Sequence, residues 1–166
     1  YLGFMAAAAP LMRKLPGRIV GETTDAKGER AFVLTMQARE QHIRREKASS
    51  NVCSNQALCA LTASVYLTLM GPEGLRQVGE QSHAKAVYLA DALCAVPGVS
   101  LRYDRPFFHE FLTDLPVPAE RVLSALEREG ILGGLPWEGG VLWCATEVCT
   151  REELDRAADI VKEACR

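Results

Sequence analysis

The sequence lacks the features that would place this protein on nucleic acid or in a membrane. Its 19 Lys and Arg against 21 Asp and Glu give a formal net charge of −2, which provides no global attraction to a polyanion. No apolar run approaches the roughly 20 residues that a membrane-spanning helix needs. We therefore expect neither a nucleic-acid partner nor a membrane partner. The start at Tyr1 does not resemble a signal peptide, and we expect it to be a cut within a longer protein.

Closely spaced cysteine pairs are also absent. The six cysteines, at positions 53, 59, 94, 144, 149 and 165, include no Cys-x-x-Cys pair. This spacing argues against a structural zinc site and against a disulfide scaffold, so we expect no metal site. Cys59, Cys94 and Cys144 stand among apolar residues, and we expect buried, reduced thiols there. A reducing cytoplasm or organelle matrix fits this usage best.

What is present is enough apolar material for one domain. The 166 residues are 48% hydrophobic and 24% charged, which are ordinary values for a globular protein. Near the start, residues 18–21 and 31–35 are β-rich and flank a turn at 25–28, which predicts a hairpin. An Ala-rich stretch at 5–15 predicts a short helix before it. Neither run can form a core alone, so we expect this part to complete a sheet that belongs to sequence outside this chain.

The rest of the chain alternates predicted helices and strands. The helices are expected at 55–70 with Ser54 as N-cap, at 72–96, at 118–129 and from a capping box of Thr150 and Glu153 onward, and the strands at 99–103, 107–112 and 139–145. The second helix carries a stripe that we expect to be buried: Leu75, Val78, Ala86, Leu89 and Leu93. This order is typical of a small α/β fold with its helices on one face of a mainly antiparallel sheet.

The most informative segment is 39–54. It reads Arg-Glu-Gln-His-Ile-Arg-Arg-Glu-Lys and continues directly into Ala-Ser-Ser-Asn-Val-Cys-Ser. Four cationic side chains and a histidine are thus followed by small hydroxyl, amide and thiol groups. Guanidinium forks, hydroxyls and backbone N–H groups together favour an anion such as a phosphate or a carboxylate. A solvated charged helix capped by serines is the alternative interpretation.

Segment 39–54 resembles the signature of the glycine cleavage system P-protein family, in the amino-terminal half of its single-chain form or in its alpha subunit (subunit 1). The family pattern reads roughly Thr-Arg-Glu-Gln-His-Ile-Arg-Arg-Glu/Asp-Lys-Ala-Thr-Ser-Asn-Ile-Cys-Thr. The departures in this chain are mild: Ala38, Ser49, Val52 and Ser54. Residues 2–5, 13–21 and 32–37 also resemble the family. The similarity thins after about Gly74 and returns weakly at 141–147, so it covers less than half of the chain.

The resemblance implies a fold and an activity. P-proteins are fold-type I enzymes that use pyridoxal 5'-phosphate (PLP), with a large domain and a small carboxy-terminal α/β domain joined by a long helix. Residues 1–54 would be the tail of the large domain with the connecting motif. Residues 55–166 would be the connecting helix and the whole small domain. The complete enzyme decarboxylates glycine and transfers its aminomethyl group to the lipoyl arm of H-protein, and a bacterial cytoplasm is the expected location.

The resemblance also implies that this chain has no catalytic residue. The family's Schiff-base lysine lies in another motif, in the carboxy-terminal half or the beta subunit (subunit 2), and that motif is absent here. The chain should therefore be inactive alone and share a site with subunit 2, as in a heterotetramer. Four of the five lysines are expected on the surface: Lys14, Lys27, Lys85 and Lys162. Lys47 is the fifth, and an independent PLP enzyme built around it is the least favoured interpretation.

The candidate residues for contacts with cofactor, substrate or the partner subunit all lie in 39–54: Arg39, His42, Arg44, Arg45, Ser50, Asn51 and Cys53. Arg44 and Arg45 could form bidentate contacts with a carboxylate or phosphate, and Ser50 and Asn51 could add short hydrogen bonds. For Arg39 and His42, intersubunit or helix-surface pairing is equally open. Cys53 would be either a buried residue or a redox-sensitive thiol.

A different class of function remains as the alternative. A non-catalytic α/β interaction module could bind an acidic partner through 39–54. Outside that segment, we expect His109 to be structural rather than a general base, and His83, which has no partner in sequence, to lie on the surface. Residues 133–137 and 138–140 are glycine-rich without a phosphate-binding pattern, which predicts loops. Packing, rather than a pocket, is the expected role of Trp137 and Trp143.

Overall fold

The structure is a computed structural model that describes residues 2–15, 19–36, 41, 45–48 and 56–166. It divides the chain into two compact units, Tyr1–Tyr66 and Leu67–Arg166. The division expected from the sequence, at residues 54 and 55, concerns the domains of a longer protein and stays a prediction. The predicted N-cap Ser54 lies outside the described residues.

The first unit contains the predicted hairpin. Strands β1 (Ile19–Thr24) and β2 (Arg30–Met36) pair in antiparallel register. The carboxylate of Asp25 closes the turn, since Oδ1 accepts the backbone N–H groups of Lys27 at 2.8 Å and Glu29 at 2.9 Å. This is the side-chain turn chemistry for which Asp is favoured between strands. Most of the hairpin is exposed, as expected for a part that has no core of its own.

The predicted helix at 5–15 is wrong. Only a 3-10 helix forms, Ala9–Lys14, with Pro10 at its start and no buried residue. Proline has no backbone N–H to donate to a preceding turn but is tolerated in the first turn of a helix, so a helical segment begins beside Pro10 rather than running through residues 5–9 into it. The six residues that remain are too few to offset the cost of helix nucleation without an apolar face to bury.

Helix α1 (Ala57–Cys94) is interrupted where the sequence predicts a break. Gly71 has φ 61° and ψ −179°, and Pro72 follows it. A positive φ is accessible to glycine at no steric cost, and proline is well suited to the first turn of the segment after the break. Within the stripe expected to be buried, Ala86, Leu89 and Leu93 are buried, but Leu75 is 39% exposed. The burial predicted for Leu75 is therefore wrong.

One apolar stretch is longer than the sequence inspection indicated. Helix α1 contains an 18-residue window with a mean hydropathy of 1.2, long and apolar enough by composition to cross a membrane. The break at Gly71 divides this helix. The segment before it, residues 57–70, extends only about 21 Å at 1.5 Å per residue, which is shorter than the roughly 30 Å of a bilayer core. The apolar side chains of this part are exposed, with Leu58 at 76% and Leu69 at 80%.

The second unit is built on a four-stranded sheet. Its strands are β3 (Ser100–Leu101), β4 (Glu110–Asp114), β5 (Leu135–Trp137) and β6 (Gly140–Cys144), in the order β3-β4-β6-β5 with every neighbouring pair antiparallel. Strand β3 is shorter than predicted, and β4 is shifted two to three residues later. Strand β5 corrects the prediction of a loop at 133–137. A three-residue edge strand that contains Pro136 gives no alternating pattern in the sequence.

Helices cover one face of this sheet, which confirms the predicted α/β class. Helix α2 (Ala119–Arg128) ends before Gly130 (φ 75°) and helix α3 (Arg151–Ala164) closes the chain. The core joins both helices, the end of α1 and the inner face of β4 and β6. Its buried apolar members include Leu89, Leu93, Phe111, Val122, Leu126, Val141, Trp143, Leu154 and Val161.

A single buried polar pair lies in this core among the described residues. Trp143 is 2% exposed and Thr113 is fully buried, and the indole Nε1–H donates to Thr113 Oγ1 at 2.7 Å. A buried indole N–H needs such an acceptor, since an unpaired polar group in a core loses its hydration without compensation. The packing role expected for Trp143 agrees with this position.

Replacing the acceptor tests how much this pair contributes. We expect Thr113→Val, which keeps the side-chain shape, to lower the free energy of unfolding by about 1–3 kcal/mol because the indole N–H stays buried without a partner. Urea unfolding followed by tryptophan fluorescence measures it. The matched control Thr113→Ser keeps the hydroxyl and should retain the hydrogen bond. A Thr113→Val variant as stable as the parent chain would contradict the assignment.

Helix α3 begins with the predicted capping box. Thr150 Oγ1 accepts the backbone N–H of Glu153 at 3.2 Å, and Glu153 Oε2 accepts the backbone N–H of Thr150 at 2.8 Å. These bonds satisfy two N–H groups that have no partner inside the helix. The backbone and hydroxyl groups of Thr150 stabilise the ionised carboxylate and lower the pKa of Glu153.

This pKa direction predicts how stability depends on pH. Because the pKa of Glu153 is lower in the folded state, its contribution is complete above the pKa of an unfolded glutamate and is lost as the pH falls through the folded-state pKa. Glu153→Gln keeps an oxygen acceptor but does not titrate. We expect the stability difference between the parent chain and Glu153→Gln to narrow on acidification, measured by urea unfolding at several acidic pH values. A difference independent of pH would be inconsistent with this box.

Candidate functional site

Most of the predicted site lies outside the described residues. This holds for Arg39, His42, Arg44, Ser50, Asn51 and Cys53. Their roles in binding a cofactor, a substrate or a partner subunit stay predictions. Arg45 is the one candidate that the structure describes.

Arg45 lies on a single-turn 3-10 helix, Arg45–Lys47, whose three residues are all exposed. An exposed arginine has kept its hydration and can engage an external anion or a partner's carboxylate through its planar fork. Lys47 is exposed on the same turn, so the described part of the chain offers it no enclosed cofactor pocket. The arrangement therefore favours a contact role for this turn over a self-contained PLP site at Lys47.

Three of the remaining lysines are exposed as predicted: Lys14, Lys27 and Lys162. The surface placement predicted for Lys85 is wrong, because this residue is half-buried and its Nζ donates to the backbone carbonyl of Glu147. Ser82, one turn earlier on α1, also binds Glu147. Its Oγ donates to the Glu147 carboxylate at 3.2 Å and accepts the Glu147 backbone N–H at 3.1 Å. Lys85 thus fastens the segment after β6 to α1.

PLP does not fit the described residues as a complete site. The cofactor needs a lysine amine for its aldehyde, a partner for its ring nitrogen and donors for its phosphate. None of the five lysines combines enclosure with a free amine in the described part of the chain. A PLP site that uses this chain must therefore be completed by residues beyond the described ones.

The uncovered face of the sheet forms an apolar groove of about 510 Å³. Its floor is a row of leucines that face each other across three strands, since Leu112 pairs with Leu142 and Leu142 pairs with Leu135. Tyr103, Arg105, Glu110 and Trp137 are among the residues that surround this floor. Trp137 is 53% exposed, so the packing role expected for it is wrong.

Arg102 holds one wall of the groove in place. Its Nε donates to Asp114 Oδ1 at 2.9 Å, and its Nη2 donates to the backbone carbonyl of Glu138 at 3.1 Å. The turn between β5 and β6 is thereby tied to the end of β4. Gly140 permits the close approach, because a Cβ there would lie 2.2 Å from the carbonyl oxygen of Thr113. No larger residue fits that position without separating the strands.

Three potential metal ligands meet at the other end of β4. His109 immediately precedes the strand, Glu110 begins it, and Cys144 ends β6 directly opposite Glu110. Their ligand atoms all lie within 4.8 Å of one another. Partial burial of the thiol, the carboxylate of Glu110 and the nearby Cys149 raise the pKa of Cys144. Nδ1 of His109 is buried and has no hydrogen-bond partner in the described part of the chain.

The histidines and cysteines differ from the predictions in several respects. His83 is exposed as expected but does have a partner, since its Nδ1 lies 3.0 Å from the carbonyl oxygen of Phe108. Burial predicted for three cysteines is wrong, because Cys59 is half-buried and Cys94 and Cys144 are exposed. Side chains alternate between the two faces of a strand, which explains the exposure of Cys144. Because Trp143 faces into the core, Cys144 must face away from it. Apolar neighbours in sequence were a poor guide to that direction.

Comparisons with known proteins cover almost the whole chain. The family model described as "Glycine cleavage system P-protein" matches residues 1–161. A protein of Chlorobium limicola named "Probable glycine dehydrogenase (decarboxylating) subunit 1" is 52% identical over 159 residues, which cover 93% of this chain and 36% of that protein. A protein of the same name from Nitrosomonas europaea is 47% identical over 171 residues, covering 99% and 38%. The chain thus spans little more than a third of these relatives.

Solved structures agree with the sequence relatives. An inhibitor-bound crystal structure of glycine decarboxylase (P-protein) of the glycine cleavage system matches with a TM-score of 0.87 and 43% identity, covering 94% of this chain and 37% of that one. A sphingosine-1-phosphate lyase of Burkholderia pseudomallei matches with a TM-score of 0.59 at 16% identity, covering 87% and 30%, which shows the shared fold alone.

These matches correct the expectation that the similarity covers less than half of the sequence. That expectation was based on the short motifs around 39–54. The family model also includes the sheet and helices of the second unit. The described fold, with helices on one face of an antiparallel sheet, is the α/β fold of the P-protein and of the lyase. With the family model matched over residues 1–161, this chain belongs to the glycine cleavage system P-protein family.

Proposed function

We propose that this chain is part of a P-protein that decarboxylates glycine with PLP and passes the aminomethyl group to the lipoyl arm of H-protein. The observation that carries the proposal is the match to glycine decarboxylase over 94% of the chain with a TM-score of 0.87 and 43% identity. Relatives named glycine dehydrogenase (decarboxylating) subunit 1 support the same function. Since fold alone does not determine function, the identity across the chain carries more weight than the shared architecture.

The chain's own contribution is to bind and to position rather than to form the covalent bond to the cofactor. PLP, when bound, supplies the electron sink for the decarboxylation. In this proposal the lysine that holds PLP comes from subunit 2, since the family resemblance places it in a motif that this chain lacks. Arg44, Arg45, Ser50 and Asn51 contact an anionic group of the cofactor or substrate, or the facing surface of subunit 2. Arg39, His42 and Cys53 belong to the same contact region.

The proposed partners are subunit 2, H-protein and glycine, in a heterotetrameric enzyme of a bacterial cytoplasm. Support for a split enzyme comes from the relatives, which are named as subunit 1 and are bacterial. Support for a contact surface comes from the exposed turn that carries Arg45. A non-catalytic module that binds an acidic partner through 39–54 is the competing proposal, and the two differ in what removal of Arg45 does to catalysis.

A cofactor-trapping experiment tests the proposed absence of a Schiff-base lysine. We expect PLP titration of this chain to give no visible aldimine band, and borohydride reduction with peptide mass mapping to find no modified lysine above background. The positive control is the assembled two-subunit enzyme, in which a lysine of subunit 2 should be trapped. Stoichiometric trapping at Lys47 of this chain would overturn the proposal and support an independent PLP enzyme.

Replacement of Arg45 tests the contact role in the assembled enzyme. We expect Arg45→Ala in a complete subunit 1 to reduce glycine decarboxylation about tenfold or more, because hydrogen bonds of a charged group contribute about 1.5–3 kcal/mol. Arg45→Lys should recover only part of the activity, since an ammonium cannot form the bidentate contact. Both are measured by bicarbonate exchange into glycine with subunit 2 and H-protein present.

The matched control is Arg166→Ala, which removes an exposed arginine outside the region matched by the family model. Its activity should equal that of the parent enzyme. Full activity of Arg45→Ala, with unchanged assembly by size-exclusion chromatography, would contradict a role for Arg45 in catalysis and favour the interaction-module alternative.

A further inference from the structure

We propose that His109, Glu110 and Cys144 form a binding site for a divalent transition-metal ion, with zinc as the best fit. The site is separate from the contact region at 39–54 and does not depend on the proposed decarboxylase function. It lies wholly within the second unit, where β4 begins and β6 ends. The spacing of the cysteines in the sequence did not indicate this site. Its ligands are far apart in sequence and come together only when the two strands pair.

The register of the sheet creates the site. Glu110 and Cys144 are directly paired residues of β4 and β6, so their side chains point to the same side of the sheet. His109 is held beside them because its carbonyl oxygen accepts the backbone N–H of Ala145 at 3.1 Å. Three different donor atoms, an imidazole nitrogen, a carboxylate oxygen and a thiol sulfur, are therefore placed by backbone hydrogen bonds on both strands.

The distances are compatible with one ion after a small contraction. The three ligand atoms lie within 4.8 Å of one another. Ligands of a tetrahedral zinc at ordinary bond lengths lie about 3.5 Å from each other. The difference of about 1 Å is within the reach of side-chain rotation. Glu110 and Cys144 are exposed and can rotate, while His109 is half-buried and fixes one vertex.

A second observation points to a ligand at this place. Nδ1 of His109 is buried without a hydrogen-bond partner in the described ranges, although buried polar atoms are nearly always paired. The ring of Phe108 stands edge-to-face against His109, with ring centroids 4.8 Å apart, and limits its movement. A site for a small cation would account for an unpaired ring nitrogen on a histidine whose ligand atom lies within 4.8 Å of those of Glu110 and Cys144.

The donor set selects the kind of metal. Calcium and magnesium are bound almost entirely by oxygen, and this cluster offers only one carboxylate. A thiolate with an imidazole and a carboxylate suits zinc or a similar transition metal. Three protein ligands leave a fourth position open, and the exposure of Glu110 and Cys144 allows water or an external group to occupy it.

Cobalt binding tests the proposal directly in this chain. After treatment with a chelator, titration with Co²⁺ should produce a cobalt–thiolate charge-transfer band that saturates at one equivalent and is displaced by Zn²⁺. Magnesium and calcium should not displace it. We expect Cys144→Ser to abolish the band. His109→Gln and Glu110→Gln should weaken binding at least as much as the roughly 10–100-fold that loss of an outer-shell partner costs.

The matched control is Cys94→Ser, which removes an exposed thiol at the end of α1, away from these strands. It should leave both the band and the zinc affinity unchanged. The histidine variant keeps the test valid if the cysteine variant folds poorly, and urea unfolding checks both. An undiminished band in Cys144→Ser, no saturable band in the parent chain, or an affinity unaffected by His109→Gln would each overturn the proposal.

Discussion

The pairing of β4 with β6 is the constraint on which the second unit depends. Because side chains alternate along a strand, one register fixes which residues face the helices and which face the open side. The observed register places Phe111 and Trp143 opposite each other on the covered face, and Leu112 and Leu142 opposite each other on the other. A slip of one residue would exchange the two sets, so the core, the groove and the ligand cluster all follow from this single arrangement.

Two features hold that register without relying on apolar packing. The hydrogen bond between Trp143 and Thr113 joins adjacent strands inside the core in this alignment. At the end of β4, Arg102 connects Asp114 to the backbone of Glu138 in the turn before β6. Gly140 lets the strands approach closely there. Hydrophobic burial is not directional, whereas these polar contacts are, and they therefore specify one alignment among several that bury similar area.

Local signals in the sequence predicted much of the fold. The break at Gly71, the capping box of Thr150 and Glu153 and the hairpin turn at Asp25 each depend on residues within a few positions, and each is confirmed. Apart from the helix predicted at 5–15, which Pro10 shortens, the errors concern properties that depend on distant residues. Strand β5 exists only because β6 pairs with it, and Cys144 is exposed only because Trp143 fills the core. The ligand cluster required the register between strands far apart in sequence.

For the candidate site at 39–54, the sequence likewise predicts local chemistry but not contacts with distant residues. The chemistry of 39–54 is readable from the sequence, since arginines followed by hydroxyl and amide groups indicate an anion. Which anion it contacts cannot follow from a segment that shares its surroundings with other parts of a longer protein. This chain spans little more than a third of the relatives it matches. The role that we propose for Arg45 is accordingly a role in an assembly with subunit 2.

Several large apolar side chains are exposed in this chain. Leu58 and Leu69 on the first part of α1, and Leu135 on the uncovered face of the sheet, are 76%, 80% and 53% exposed in this chain. Complete burial of one such side chain stabilises a protein by about 1.5–3 kcal/mol, so leaving several exposed forgoes a free energy comparable to the whole stability of a small domain. The second unit compensates with a core of its own, in which three helices cover one face of the sheet. Its stability can thus be analysed in this chain, whereas the energetics of residues 57–70 depend on whichever surface covers them.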